Sequence, residues 1–275
     1  MPILLGVCAA LLIGVSDTFG RASARRANAV SHVSTQMLVG VAVALPLSLV
    51  ITGSFLWDDV LSGLAGGVMI AFGLSFVYRG MAEASSAIVS PLAAILGAVI
   101  PLMWDLIGGA SLSLLQSMGC GIALLSLALT TFSRAPVGDI RAGLILAIAG
   151  GVFFGLSIVL SVDTSEASGA WPATSQRFGG FVAMAVLATR QSIPIFLPPA
   201  VRKFGVLGGI SGAFGMVCWI IGGQQGDLGT VSVISATYPA VVVVLATLFD
   251  DDEIRWWQAI GVASAIAGTI LIALG

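Results

Sequence analysis

Apolar residues run along this chain in stretches of about 20, separated by short polar connections. Ten such runs fall near 2–20, 33–51, 60–78, 85–107, 112–130, 142–162, 173–189, 204–223, 229–249 and 256–274. A helix of about 20 apolar residues is long enough to cross a hydrocarbon core about 30 Å thick. The pattern therefore predicts ten transmembrane helices. A membrane barrel would instead show shorter strands alternating polar and apolar positions. Lipid offers the backbone no hydrogen bonds, so long apolar segments must satisfy their own N–H and C=O groups as helices. The predicted class is an all-α integral membrane protein.

The pattern also repeats. Gly63, Gly66, Gly67 and Ala71-Phe72-Gly73 return 142 positions later as Gly205, Gly208, Gly209 and Ala213-Phe214-Gly215, and Gln116 with Gly119 returns as Gln258 with Gly261. The chain divides on this basis into residues 1–137 and 138–275, five runs in each. An odd number of crossings makes the second unit enter from the opposite side, so the expected architecture is two inverted five-helix repeats. Inverted repeats are a signature of secondary transporters, in which related halves rock around a midplane site. Gly63 with Gly67, Gly151 with Gly155, Gly205 with Gly209 and Gly208 with Gly212 have the spacing that lets helix backbones approach closely in lipid. The third and eighth runs are expected to pack centrally, with the two Ala-Phe-Gly segments as walls of a central path.

Composition agrees with the pattern. Of 275 residues 58% are hydrophobic and 9% charged, against about 25% charged in a soluble domain. A net charge of −2 without a basic stripe excludes a nucleic-acid partner. Cys8, Cys120 and Cys218 lie singly in separate apolar runs and read as core filling. Ten of the eleven basic residues fall on one side: Arg21, Arg25, Arg26, Arg79, Arg134, Arg141, Arg190, Arg202, Lys203 and Arg255, with Arg177 alone on the other. Cytoplasmic loops collect Lys and Arg, which predicts both termini outside the cytoplasm. Arg21, Arg25 and Arg26 follow the first run rather than preceding it, so that run is expected to be a retained helix and not a secretory signal.

Charges in apolar runs are costly and mark candidate sites. Asp17, near the end of the first run, can titrate in step with transport, bind a cation, or pair with Arg21 one helical turn away. Arg177 can hold a carboxylate through its planar guanidinium, snorkel, or pair with Asp163 or Glu166. Gln36 is taken as its pseudo-equivalent in the first half. Asp105, beside Trp104 and Pro101, reads as an interfacial helix end, and Arg79 with Glu83 as a solvated pair. Tyr78, Trp219 and Tyr238 offer ring faces, or core and interfacial anchoring. Ser90-Pro91 and Tyr238-Pro239 mark helices in which proline frees a backbone carbonyl or makes a kink. The run Asp250 to Glu253 reads as a solvated loop, and no metal or other cofactor site is expected. Asp17, Asp105, Arg177 and the acidic turn have no charged twin in the other half. The expected site residues are Asp17, Gln36, Tyr78, Ser90, Arg177, Trp219 and Tyr238.

Several motifs resemble a known family. Gly14-Val15-Ser16-Asp17-Thr18-Phe19-Gly20 followed by Ser23-Ala24-Arg25-Arg26, Val77-Tyr78-Arg79-Gly80, Ile88-Val89-Ser90-Pro91-Leu92-Ala93-Ala94 with Pro101, Trp171-Pro172, Gln176-Arg177-Phe178 and Ala236-Thr237-Tyr238-Pro239 are similar to the ten-helix EamA-type members of the drug/metabolite transporter superfamily. The resemblance covers nearly the whole chain. Where the family carries a Gly-Glu-Arg turn, this chain has Gly108-Gly109-Ala110-Ser111 and Asp250-Asp251-Asp252-Glu253. The resemblance implies a non-enzymatic transporter in a bacterial inner membrane. It would move small metabolites, amino acids or cationic drugs by a proton gradient, by exchange or down the substrate's own gradient. The expected partners are a small-molecule substrate and membrane lipid, with the chain a monomer or homodimer. ATP is not expected, since the lone Lys203 is followed by Phe204 and completes no phosphate-binding loop. The alternatives are a flippase of a lipid or lipid-linked sugar on the same scaffold, and a non-transporting membrane sensor, which the short loops disfavour.

Overall fold

The computed structural model describes residues 1–24, 26–83, 86–132, 139–249 and 255–275. Its elements are α1 (Pro2–Ala24), α2 (Ala29–Val50), α3 (Trp57–Glu83), α4 (Ser86–Ile107), α5 (Leu114–Thr131), α6 (Ile140–Val162), a 3-10 turn (Glu166–Ser168), α7 (Trp171–Arg190), α8 (Arg202–Gln224), α9 (Leu228–Ser235), α10 (Tyr238–Phe249) and α11 (Trp256–Leu274). Arg25, Arg134 and Asp250 to Glu253 lie outside the described residues, as do the side chains of Arg21, Tyr78, Glu83 and Ser90.

Among the described residues, eight stretches are long and apolar enough to span a membrane. Pro91–Ile107 within α4 is apolar but shorter, and α7 is not among the eight. The first half of α7 carries Thr174, Ser175, Gln176 and Arg177, all turned inward and buried. Its polar content is internal, which lowers the hydropathy without exposing polar groups to lipid.

The run expected as one helix at 229–249 is two, α9 and α10. The interruption has a local cause in Pro239, whose ring crowds the carbonyl four residues back. That carbonyl belongs to Ser235, the last residue of α9. The Thr237 amide turns to the Ile234 carbonyl at 3.1 Å and its Oγ1 donates to the same oxygen at 2.7 Å. Helix α4 instead continues through Pro91 and Pro101.

The repeated glutamines are capping residues. Gln116 accepts from the Ser113 amide at 2.8 Å while Ser113 Oγ accepts from the Gln116 amide at 3.1 Å, a reciprocal box at the start of α5. Gln258 accepts from the Arg255 amide at 3.1 Å at the start of α11.

Helix α3 packs on α6 and α7, and α8 packs on α1 and α2. Contacts of α6 with α4, α4 with α9, α9 and α10 with α1, and α2 with α7 close a ring of helices. Helices α5 and α11 pair with each other beside it, against α4 and α10. Exchanging α1, α2 and α3 for α6, α7 and α8 leaves the main contacts unchanged, α3 with α6 becoming α8 with α1, α3 with α7 becoming α8 with α2, and α2 with α7 becoming itself.

The glycines explain this reciprocity. A side chain on Gly67 would strike the Gln176 carbonyl, and one on Gly209 would come within 2.8 Å of the Gln36 carbonyl. Gly66 sits against Ser157 and Ser161 of α6, and Gly208 against Ser16 and Phe19 of α1. Gly73 meets Phe154, and Gly215 meets Ile13. Close backbone approach replaces the hydrophobic drive that lipid does not provide between helices.

The expected role of Phe72 and Phe214 is corrected. They are 49% and 42% exposed. With 100° between successive residues, they lie on the face of α3 and α8 opposite the glycines that meet neighbouring helices. They belong to the outer surface, while Ala71 and Ala213 are buried.

Candidate functional site

Four helices meet around Arg177. The residue is 7% exposed, Nη2 donates to the Gly212 carbonyl at 2.6 Å, and Nη1 approaches Met37 Sδ at 3.5 Å. Among the described residues Nε has no hydrogen-bond partner. Gly40 makes room for the stem, since a Cβ there would lie 2.9 Å from Arg177 Cδ. Arg177 does not snorkel, and Asp163 is engaged elsewhere, accepting from Trp104 Nε1 at 2.8 Å. The carboxylate whose charge acts on Arg177 is Asp17 of α1.

Gln36 belongs to the same locus. Its Nε2 donates to Ser16 Oγ at 2.6 Å, and Ser16 Oγ donates to the Gly208 carbonyl at 2.8 Å. A Cβ on Gly212 would lie 2.8 Å from Ser16 Oγ and 3.6 Å from Arg177 Nη2. Asp17, Ser16, Gln36, Gly212 and Arg177 are thus neighbours. Asp17 and Gln36 are half-buried.

The proposed equivalence of Gln36 and Arg177 is also corrected. Gly67 and Gly209 place Gln176 opposite Gln36. Ser34-Thr35-Gln36-Met37-Leu38-Val39-Gly40 then matches Thr174-Ser175-Gln176-Arg177-Phe178-Gly179-Gly180, and the counterpart of Arg177 is Met37, the residue it touches. Gln176 Nε2 donates to Ser161 Oγ at 3.0 Å on α6, and Gln36 Nε2 donates to Ser16 Oγ on α1, serines that differ by one helical turn in register. Met37 and Gly40 were not singled out from the sequence, Gly212 was read only as a packing glycine, and Ser16 only as part of a motif. Aligning α2 with α7 by itself would have found Met37.

The side chains of Tyr78 and Ser90 lie outside the described residues, which leaves Trp219 and Tyr238. Trp219 is 6% exposed, and its Nε1 donates to Ser232 Oγ at 3.1 Å within an apolar cluster, so the indole is a packing element. Tyr238 is half-buried at the start of α10, where its carbonyl oxygen would lie 3.0 Å from a Cβ on Gly14. Asp105, read as a water-facing helix end, instead accepts from the Gly229 amide at 2.9 Å and fastens α4 to α9.

The comparisons with known proteins bear on this arrangement. The sequence matches the EamA-like transporter family over residues 1–132 and again over 141–274. The chain belongs to the EamA-like transporter family. It is therefore an integral membrane transporter of the drug/metabolite transporter superfamily. A solved crystal structure is similar to this EamA-like transporter with a TM-score of 0.80 over 99% of this chain and 96% of the other, at 19% identity, which establishes a shared fold. No curated protein matches the sequence.

Around the site the apolar packing falls into separate clusters, and one toward the end bearing the N-terminus joins Ile3, Val7, Leu102, Leu106 and Ile234. Toward the same end, another apolar cluster joins Ala9, Ile158, Val162, Ala173, Met216, Trp219, Ile220 and Val231, with Leu47 and Ile51 against it, and so ties together α1, α2, α6, α7, α8 and α9. Beyond it lies a cleft of about 430 Å³ lined in part by Thr52, Glu166, Gln224 and Gln225. Toward the other end, among the described residues, the apolar packing divides into one cluster on α2, α3 and α7 and another on α3, α4 and α6.

Proposed function

We propose that this transporter moves a small polar metabolite across a bacterial inner membrane by alternating access, with ten spans arranged as two inverted five-helix repeats, residues 1–137 and 138–275. The reciprocal packing of α1, α2 and α3 with α6, α7 and α8 carries the reading. Two related units that grip each other through the same glycine contacts can exchange conformations, and the path between them then opens to one side or the other. An apolar cluster joins six helices toward the N-terminal end, while Asp17 and Gln36 keep partial exposure.

The basic loops orient the chain with both termini outside the cytoplasm. The end bearing the N-terminus is then the non-cytoplasmic one, and substrate reaches Asp17, Gln36 and Arg177 from the cytoplasmic side. Asp17 is the group through which a proton gradient couples to transport.

Purified protein in liposomes tests this reading. Labelled amino acids, amines and organic acids would be presented across an imposed pH gradient, to wild type and Asp17→Asn. Gradient-driven accumulation by wild type and its loss in the variant is the expected result. Equal accumulation with unchanged pH dependence would remove Asp17 as the coupling group, and transbilayer movement of labelled lipid without solute flux would replace the reading by a flippase.

A further inference from the structure

The two halves share a scaffold, and the charges sit where the halves differ. Ser16 Oγ donates to the Gly208 carbonyl at 2.8 Å, and Ser157 Oγ donates to the Gly66 carbonyl at 2.7 Å. This match makes Ile158 the counterpart of Asp17, just as Met37 is the counterpart of Arg177. Met37 and Ile158 are both buried, at 2% and 6% exposure. Gly212, which leaves space for the guanidinium, corresponds at the 142-residue offset to Ile70, which packs against the Met37 cluster. Met37 and Ile70 of the first half and Ile158 of the second are apolar, where their counterparts are a cation and a glycine in the second half, Arg177 and Gly212, and an anion in the first, Asp17.

Burying a charge pair costs desolvation that apolar side chains of similar volume avoid. The first half accommodates Met37 and Ile70 in the same helix contacts, so the scaffold does not require Arg177 or Gly212 for packing. The guanidinium also has more donors than acceptors. Among the described residues it meets one carbonyl, one weakly accepting thioether and the charge of Asp17, and Nε–H is without a partner. A fork of N–H donors in a site short of acceptors matches the two oxygens of a carboxylate.

We propose that Arg177, with Gly212 and Met37 beside it, is the binding site for a small monocarboxylate, whose head group takes the place of Asp17 as the counter-charge. Asp17 is half-buried and can hydrate when displaced, so the exchange leaves no deeply buried lone charge. A single arginine balanced by a single aspartate matches one negative charge. The proposal rests on the transport reading only in treating this locus as the substrate path, and it concerns binding, which can be measured without flux.

Detergent-purified protein would be melted with acetate, lactate and benzoate, and with acetamide, benzamide and methylamine at equal ionic strength. The carboxylates should raise the melting temperature and the amides and methylamine should not. In the twin-swapped variant Asp17→Ile/Arg177→Met the carboxylate shift should vanish while the melt stays cooperative. Arg177→Lys, which keeps the charge but loses the fork, should weaken carboxylate binding roughly tenfold or more. Amides matching the carboxylates, no shift with any compound, or an undiminished carboxylate shift in either variant would overturn the site. Should the double variant fail to fold, Arg177→Lys decides alone. Solute flux that ignores Arg177 would sink the site but not the transport reading. Carboxylate binding without any flux would do the reverse.

Discussion

Helices α2 and α7 make the same contacts and carry different chemistry. In each, a Ser/Thr pair precedes a glutamine whose carbonyl meets a glycine of α8 or α3. In each, that glutamine's side chain donates to a serine of α1 or α6. One residue later, α2 has Met37 and α7 has Arg177. The shared features therefore read as scaffold, and the difference as the place where one half was given a task the other lacks. Gln36 moves, on this comparison, from candidate substrate ligand toward structural support, because Gln176 does similar work.

The comparison can be broken most forcefully at Arg177. Arg177→Met should lower transport by roughly tenfold to a hundredfold, the value of a charge-assisted contact of about 1.5–3 kcal/mol. Met37→Leu, volume-conserving at the matching position, should cost less than about 1.5 kcal/mol and leave transport in place. Flux assays on the two variants at matched protein levels would show whether the positions differ as stated. A second test treats the halves as equals. Gly67→Ala and Gly209→Ala each push a methyl group into a facing carbonyl and should each lower stability by about 1–3 kcal/mol, read as similar falls in melting temperature. A large disparity would mean the two contacts are not equivalent.

The smallest expected difference lies at the helix starts. Ser113→Ala removes the side-chain half of the cap on α5 and should cost about 1 kcal/mol. Arg255→Ala at the matching position of α11 removes no comparable hydroxyl acceptor, and its effect should be smaller. Melting curves of both variants would check the order.

Much of this scaffold can be read from the chain. The apolar runs locate the helices, and the 142-residue offset finds the glycines by which α3 and α8 grip their partners. That offset does not serve every helix. The α2 and α7 motifs align at 140 residues and the serines of α1 and α6 at 141, because the connections differ in length. Carrying a nearby offset onto α2 paired Gln36 with Arg177 and hid Met37. The recurrence of Phe72 as Phe214 has another cause, since a residue facing outward in a membrane is repeated for apolar surroundings rather than for a path. The break after Ser235 was not legible because proline marks a helix start, a kink or an interruption alike, and packing decides among them. Asp105 and Trp104 looked interfacial by type, while their bonds to Gly229 and Asp163 depend on neighbours distant in sequence.

The central claim is that a twofold-related scaffold carries one charged centre, needed for transport and dispensable for the fold. Flux of labelled monocarboxylates, amino acids and amines into liposomes containing wild type or Asp17→Ile/Arg177→Met, with both proteins shown to melt cooperatively, tests it most directly. The account predicts flux by wild type and none above empty liposomes by the folded double variant. Undiminished flux in that variant would contradict it.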